Sequence, residues 1–272
     1  MPIPIRMTDD GRWALPDRAA ALEWCARRKG NHIRCALDIP GRYSRTGGEA
    51  QGELSAHLEL LQKIGELAAG ASLAVKLSTL GAGFDRELAR RGLMALAGAG
   101  LKRCVPVELD MEGQSLADVT LRTALEAAST GLPVTVALQA YLDRTAGDLE
   151  RAIDGRLRVR LVKGAYLGDT ADFLEVQKRM RNLSGRLLEA GADFCVGTHD
   201  PELIGWLEQS GIRWKLEFGF LMGLADETKL RLAGAGWRVL EYVPFGPRSA
   251  AYIARRRRYL GGLERLGRET AP

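Results

Sequence analysis

Apolar residues gather into short runs at His32–Pro40, Ser72–Leu80, Cys104–Glu112, Leu132–Tyr141, Leu157–Ala165, Ala192–Thr198, Trp214–Phe220 and Trp237–Val243, each rich in Val, Ile or Leu. Between the runs, apolar positions recur three and four residues apart, the spacing of one helix face. The pattern predicts eight strands, with helices over Glu53–Ala68, Arg86–Ala97, Ala117–Ala128, Gly147–Ile153, Ala171–Glu189, Glu202–Gln209 and Glu227–Leu232. A further helix over Pro16–Arg28 precedes the first strand, where it would close the bottom of a barrel. Strictly alternating strands and helices imply parallel strands joined by right-handed crossovers. Eight such units in about 250 residues match an α/β fold of the (βα)8 TIM-like barrel type. An open doubly wound sheet is the alternative, but its glycine fingerprint is missing: Gly81-Ala-Gly83-Phe-Asp-Arg86 ends in arginine. The chain divides into an N-terminal helical extension, 1–30, and a barrel catalytic domain, 31–272.

In a barrel the carboxyl ends of the strands carry the chemistry. Polar groups expected there are Asp38, Lys76, Asp110 with Glu112, Gln139, Arg160 with Lys163, Thr198 with His199 and Asp200, Glu217, and Tyr242. A structural ion pair needs two residues; so many converging groups point to a polar active site. Lys76, if burial lowered its proton affinity, would suit a Schiff-base lyase. A metal site is not expected, because His199 with Asp200 has only His32 and His57 as further histidines and no carboxylate follows a ligand spacing.

Composition excludes other classes. With 272 residues, 46% hydrophobic and 27% charged, the chain can bury a full core and is neither a disordered tail nor a disulfide mini-protein. No apolar run approaches the roughly 20 residues that span a bilayer. The opening MPIPIRMTDDGRW has no leader pattern, and Cys25, Cys35, Cys104 and Cys195 are widely spaced, three of them in strand-like segments. A cytoplasmic protein with reduced thiols is expected. The net charge of +5 is local: from residue 246 onward seven arginines face two glutamates, and the rest of the chain is neutral. Such an end suits an acidic ligand or a membrane surface and not nucleic acid, whose binders spread positive charge over a face.

The segments at the strand ends resemble the flavin-dependent proline dehydrogenases. The resemblance rests on Arg160-Leu-Val-Lys-Gly-Ala-Tyr166, and in the same order on Val75-Lys-Leu-Ser78, Leu109-Asp-Met-Glu112, Asp118-Val-Thr-Leu121, Gln139-Ala-Tyr-Leu142, Thr198-His-Asp200, Glu217-Phe218, Tyr242-Val-Pro-Phe-Gly246 and Tyr252-Ile-Ala-Arg-Arg256. It implies a distorted (βα)8 barrel with FAD over the strand ends and a final helix packed over the mouth. It implies oxidation of L-proline to 1-pyrroline-5-carboxylate, with Lys76, Asp110, Arg160 and Tyr242 as catalytic residues. Substrate contacts would come from Lys76, Tyr166, Leu221, Tyr242, Tyr252, Arg255 and Arg256. The flavin would be held by Asp110, Gln139, Arg160, Lys163, Gly164, Ala165, Thr198, His199 and Asp200. Paired guanidinium forks at Arg255 and Arg256 suit a carboxylate on physical grounds as well, whereas Arg257, Arg258, Arg265 and Arg268 are left for solvent or anionic lipid. A quinone or other electron acceptor, peripheral membrane contact and a pyrroline-5-carboxylate-processing enzyme are the partners implied.

Several positions depart from the family pattern. Arg42 stands where an acidic residue is common, Gly219 replaces a glutamine, Met222 a tyrosine or histidine, and Tyr259 a glutamate that helps close the site. The segment after Tyr166 is also short. Alternatives left open are a proline analogue such as hydroxyproline as substrate, the Schiff-base lyase, and a binding barrel without turnover.

Overall fold

Eight parallel strands close on themselves, each followed by a helix, in the computed structural model of the chain, which describes residues 11–41 and 43–265, with side chains to residue 258. In chain order the elements are α1 (Arg18–Gly30), β1 (Ile33–Asp38), α2 (Gly47–Leu67), β2 (Ser72–Lys76), α3 (Arg86–Arg103), β3 (Val107–Asp110), α4 (Gln114–Ser129), β4 (Val134–Gln139), α5 (Thr145–Asp154), β5 (Arg158–Val162), α6 (Phe173–Glu189), β6 (Phe194–Gly197), α7 (Pro201–Glu208), β7 (Leu216–Leu221), α8 (Asp226–Gly234), β8 (Arg238–Pro244) and α9 (Ala250–Arg265). β8 closes the barrel against β1, in register from Ile33↔Val239 to Asp38↔Pro244. The barrel and all eight expected strands are therefore present. The readings made for Arg42, Tyr259, Arg265 and Arg268 fall outside the described residues and side chains.

The two-residue period of a strand sorts the side chains into two sets. On β1, Ile33, Cys35 and Leu37 join the large apolar core between barrel and helices. Ala36 turns the other way, into a small inner cluster with Ala74, Cys195, Leu240 and Tyr242. Small inner residues leave room for charge. At the amino-terminal end of the barrel Arg34 grips Glu217 through Nε and Nη2, both at 2.9 Å, and reaches Glu108 at 2.8 Å, while Arg158 donates to Glu217 at 2.8 Å. Burial alone would raise the Glu217 carboxyl, but the two arginines outweigh it and hold it well below the usual carboxylate range.

Three expectations are corrected. Glu217 stands at the start of β7 and belongs to this lower layer, far from the strand end where the mouth forms. Cys104 is not in a strand; it is the exposed left-handed cap of α3, at φ 55°. The helix over Pro16–Arg28 does not close the bottom. As α1 it lies on the barrel's flank, because Glu241, between inward Leu240 and Tyr242, points outward and draws Trp24 Nε1 at 2.8 Å and Arg28 Nε at 2.7 Å. Among the described residues no helix is long and apolar enough to cross a membrane.

Fully buried Lys229 also donates to Glu241, and Arg28 reaches Asp226 at 2.8 Å, so one carboxylate ties α1, β8 and α8 together. Glu241→Gln would leave the buried Arg28 and Lys229 with half-exposed Asp226 as the one anion they still share, at 2.8 Å from each. A loss of about 3–5 kcal/mol in unfolding free energy is expected from urea denaturation; a loss below about 1 kcal/mol would refute this role.

Candidate active site

A cavity of about 670 Å³ opens at the carboxyl ends of the strands beneath α9. Its floor is organised by Asp110 at the end of β3. One carboxylate oxygen accepts from Lys76 Nζ at 2.8 Å and from the Tyr242 hydroxyl at 2.6 Å, and the other accepts from Arg160 Nη2. Lys76 also donates to Asp38 at 2.9 Å. Burial works against each charge, but the partners prevail: Asp110 is held well below the usual carboxylate range, and Lys76 well above the usual lysine value. Tyr242 is pushed well above the ordinary phenol value by burial and by Asp110 and Asp38. The floor thus presents a fixed ammonium, carboxylate and phenol across the neutral range. This overturns the Schiff-base reading of Lys76, since a nucleophilic amine needs a lowered proton affinity and here two carboxylates raise it.

Arg160, at the centre of β5, connects floor and lower barrel: its guanidinium lies 5.3 Å from the Tyr242 ring centroid and its Nε 3.3 Å from Glu108. Gln139, at the end of β4, donates through Nε2 to the Glu112 carbonyl at 2.8 Å and lines the cavity. Beyond β5, Lys163, Gly164, Ala165, Tyr166 and Leu167 form one wall. Gly164 takes φ +132°, and a Cβ there would overlap the Tyr141 ring. The glycine is therefore demanded by a protein neighbour, Tyr141.

The opposite wall carries Thr198 and His199. Burial, with the charges of Lys229, Arg256 and Lys163, lowers the imidazole to about 3, and its Nε2 accepts from the Leu221 amide at 3.1 Å. The ring is neutral, with its proton on Nδ1. Asp200 is turned away: it caps α7 by accepting from the Glu202 and Leu203 amides, with Pro201 opening the helix, and does not line the cavity. It lies 3.8 Å from Lys163 Nζ, which bears on the cavity only through that lysine.

The roof is α9. Tyr252 is buried, stacked with Tyr242 at 6.5 Å between centroids, and its hydroxyl has no hydrogen-bond partner among the described residues. The Arg255 guanidinium lies 5.9 Å from the Tyr166 ring and that of Arg256 lies 5.2 Å from the Tyr252 ring. Both are half-buried and face the cavity as expected, whereas Arg257 and Arg258 are exposed, with Arg258 still reaching the rim.

Of the sixteen residues that the resemblance assigns to catalysis, substrate or cofactor, all but Asp200 line this cavity, whereas Asp38, Glu112 and Glu217, also expected at the mouth, do not. The sequence reading passed over Asp38 as a partner of Lys76, Glu108 behind Arg160, and the register pair Gly197↔Gly219 on the inner face. A Cβ on Gly219 would come within 2.9 Å of Cys195 Sγ, so glycine in place of the family's glutamine keeps that surface bare. Basic groups on both sides, an orphaned buried hydroxyl and glycine-bared strands fit a flat ligand with anionic groups, which is the donor set FAD and an amino acid carboxylate require.

A model of the proline dehydrogenase family matches residues 21–178 of this chain. Proline dehydrogenase 1 of Bacillus subtilis (strain 168) is 28% identical over 246 residues, covering 87% of this chain and 82% of its own length. The proline dehydrogenase of Deinococcus radiodurans is 33% identical over 202 residues, 68% of this chain and 64% of that protein. Among solved structures, proline utilization A from Bdellovibrio bacteriovorus, inactivated by N-propargylglycine, aligns with a TM-score of 0.83 at 21% identity, over 91% of this chain. The chain spans about a third of the length of that structure, at 32%.

The site makes the fold sensitive to acid in two stages. His199 binds its proton far less readily folded than unfolded, so its contribution is complete above about pH 6.5 and drains as pH falls below that, by about 2 kcal/mol at pH 5. Asp110, Glu108 and Glu217 are likewise depressed in the fold, and their contribution drains only below the unfolded carboxylate values near 4. Buried His57 is depressed in the same direction and adds to the first stage, so urea unfolding at pH 7.5, 5 and 4 is expected to show both stages in the parent protein and a smaller first stage in His199→Gln. Equal stability of the parent at pH 7.5 and 5 would refute the assignment.

Proposed function

The chain belongs to the proline dehydrogenase family, and on that premise we propose that it oxidises L-proline to 1-pyrroline-5-carboxylate with FAD as its cofactor. The observation that carries the reading is the pair Arg255 and Arg256 facing the Lys76, Asp110 and Tyr242 floor across one cavity. A five-membered ring bearing a carboxylate fits between them: guanidinium forks take the carboxylate, and Tyr166, Leu221, Tyr242 and Tyr252 wall the ring. FAD, when bound, would supply the acceptor for the hydride leaving the ring carbon beside nitrogen, while the nitrogen lone pair forms the C=N bond and the N–H proton is released to solvent.

The chain's own part is binding, orientation and fixed charge. Arg160, Lys163, Gln139 and the Gly164–Ala165 backbone would hold the isoalloxazine side, and Thr198 and His199 the phosphate and ribose side, with His199 as a neutral donor through Nδ1. Lys76 keeps its proton at Nζ and adds positive charge toward the substrate carboxylate. Tyr242 keeps its proton directed at Asp110, so neither group exchanges protons in the neutral range. Tyr252 and the arginines of α9 exclude water from above. A quinone or similar acceptor would take the electrons onward, and the cyclic imine product would go to an enzyme that processes it. We place the protein in the cytoplasm, with peripheral membrane contact through exposed Arg257 and Arg258 and the rim leucine Leu167, which is 89% exposed. Each such arginine near an anionic surface contributes about 1 kcal/mol.

Proline added without oxygen is expected to bleach the flavin of the purified protein, which a lyase or a non-turning binding barrel would not do. A panel including hydroxyproline ranks the analogues. Arg256→Ala should raise KM for proline by 100-fold or more, about 3 kcal/mol, with the melting temperature little changed. Persistent flavin colour under proline, or an unaltered KM, would overturn the reading. Sedimentation with vesicles checks the membrane contact: greater recovery with anionic than with neutral vesicles is expected, and equal recovery would remove it.

A further inference from the structure

Tyr141 follows β4 and lies inside the turn that carries the chain from β5 toward α6. Its ring, 7% exposed, is flanked by Gly164 along one edge and Gly168 along the other, and a Cβ on either glycine would overlap it. The backbone repeats the grip: Tyr141 N donates to the Lys163 carbonyl at 3.2 Å, and Asp169 N donates to the Tyr141 carbonyl at 3.2 Å. At the ring's tip the Tyr166 amide donates to the hydroxyl at 2.7 Å, and the hydroxyl stands 2.9 Å from Gln139 Oε1. The 163–169 turn is thus held to one residue at both ends through the backbone and in the middle through the side chain.

The same hydroxyl decides how Gln139 is presented. An amide N–H can only donate, so the Tyr141 oxygen accepts from Tyr166 and its own proton goes to Gln139 Oε1. The Ala165 amide points at that same oxygen from 3.4 Å. Gln139 Nε2 gives one hydrogen to the Glu112 carbonyl. With its oxygen occupied and one hydrogen used, Gln139 faces the cavity as a donor only. Burial raises the Tyr141 phenol above its ordinary value, so this arrangement holds throughout the neutral range.

We infer that Tyr141 is a positioning residue: its ring is the former around which the 163–169 turn is shaped, and its hydroxyl fixes Gln139 as a hydrogen-bond donor to an acceptor atom of the ligand. That the ligand is flavin rests on the function proposed above; the shaping of the turn does not. Two variants separate ring from hydroxyl. In the ligand-free chain, Tyr141→Phe should speed hydrogen–deuterium exchange in peptides covering 163–169 by about tenfold, and Tyr141→Leu by more, with β1 to β3 peptides unchanged. With flavin, Tyr141→Phe should weaken binding by about tenfold, and a cycle with Gln139→Leu should be non-additive because the tyrosine acts through the glutamine. Unchanged exchange in both variants would overturn the template role. Faster exchange with unchanged flavin affinity, or additive effects in the cycle, would overturn the role in presenting Gln139. If the parent protein binds no flavin, the cofactor assignment falls while the exchange arm still decides the template.

Discussion

Charges inside a barrel stand only if each finds a counter-charge, and here that condition runs the length of the axis. Arg158 meets Glu217, Glu217 meets Arg34, Arg34 meets Glu108, Glu108 meets Arg160, Arg160 meets Asp110, Asp110 meets Lys76, and Lys76 meets Asp38. Sign alternates at every step. Well-packed apolar residues would stabilise such an interior equally or better, because the desolvation of each ion consumes most of the attraction. What the alternation secures is position: Arg160 and Lys76 cannot shift without stripping a buried carboxylate of its partner, a far larger penalty than the net value of the pair.

Balanced pairing below also explains the field above. Four acids and four bases cancel within the ladder and Asp200 offsets Lys163, so the mouth takes its sign from the arginines of α9. A cavity walled by low-dielectric barrel and rimmed by cations concentrates its field on an incoming anion. The local charge surplus at the end of the chain therefore becomes a property of the site, because α9 folds back over the strand ends. Arg257 and Arg258, on the same helix, turn that charge outward.

The barrel was legible because eight apolar runs at regular spacing leave few other solutions, and the floor was legible because Lys76, Asp110, Arg160 and Tyr242 all lie at inward positions of recognisable motifs. Glu217 was misplaced for a physical reason: a run of apolar residues fixes that a strand exists but not where it begins, and an acid two residues into a strand reads like one at its end. Asp200 stands outside the cavity lining as the cap of α7, and a short motif does not distinguish a ligand contact from a helix cap; the proline after it was the available signal. The flank position of α1 depended on Glu241 facing outward, which needs the register of β8. Tyr141 was part of a quoted motif, but its meaning required seeing Gly164 and Gly168 against one ring.

Floor and roof are built on different principles, and the difference bears on how the site works. The floor is ion pairs between strands, each buried and each fixed by sheet register. The roof is one helix that leaves β8 through Gly246, at φ +100°, and is seated at its start by the Arg248–Glu53 pair, 3.0 Å at Nη2. From there it rests on rings, Tyr252 on Tyr242 and Arg255 on Tyr166, while Arg256 stacks on Tyr252 of its own helix. Stacking of a guanidinium on a ring is broad in angle and contributes about 0.5–2 kcal/mol, so it tolerates small rotations of the helix that a buried ion pair would resist. A ligand carboxylate binds the guanidinium edge, which stacking on the flat face does not compete for. On the function proposed above, the substrate carboxylate would add to the roof the kind of directional contact the floor already has, so its binding would rigidify the roof.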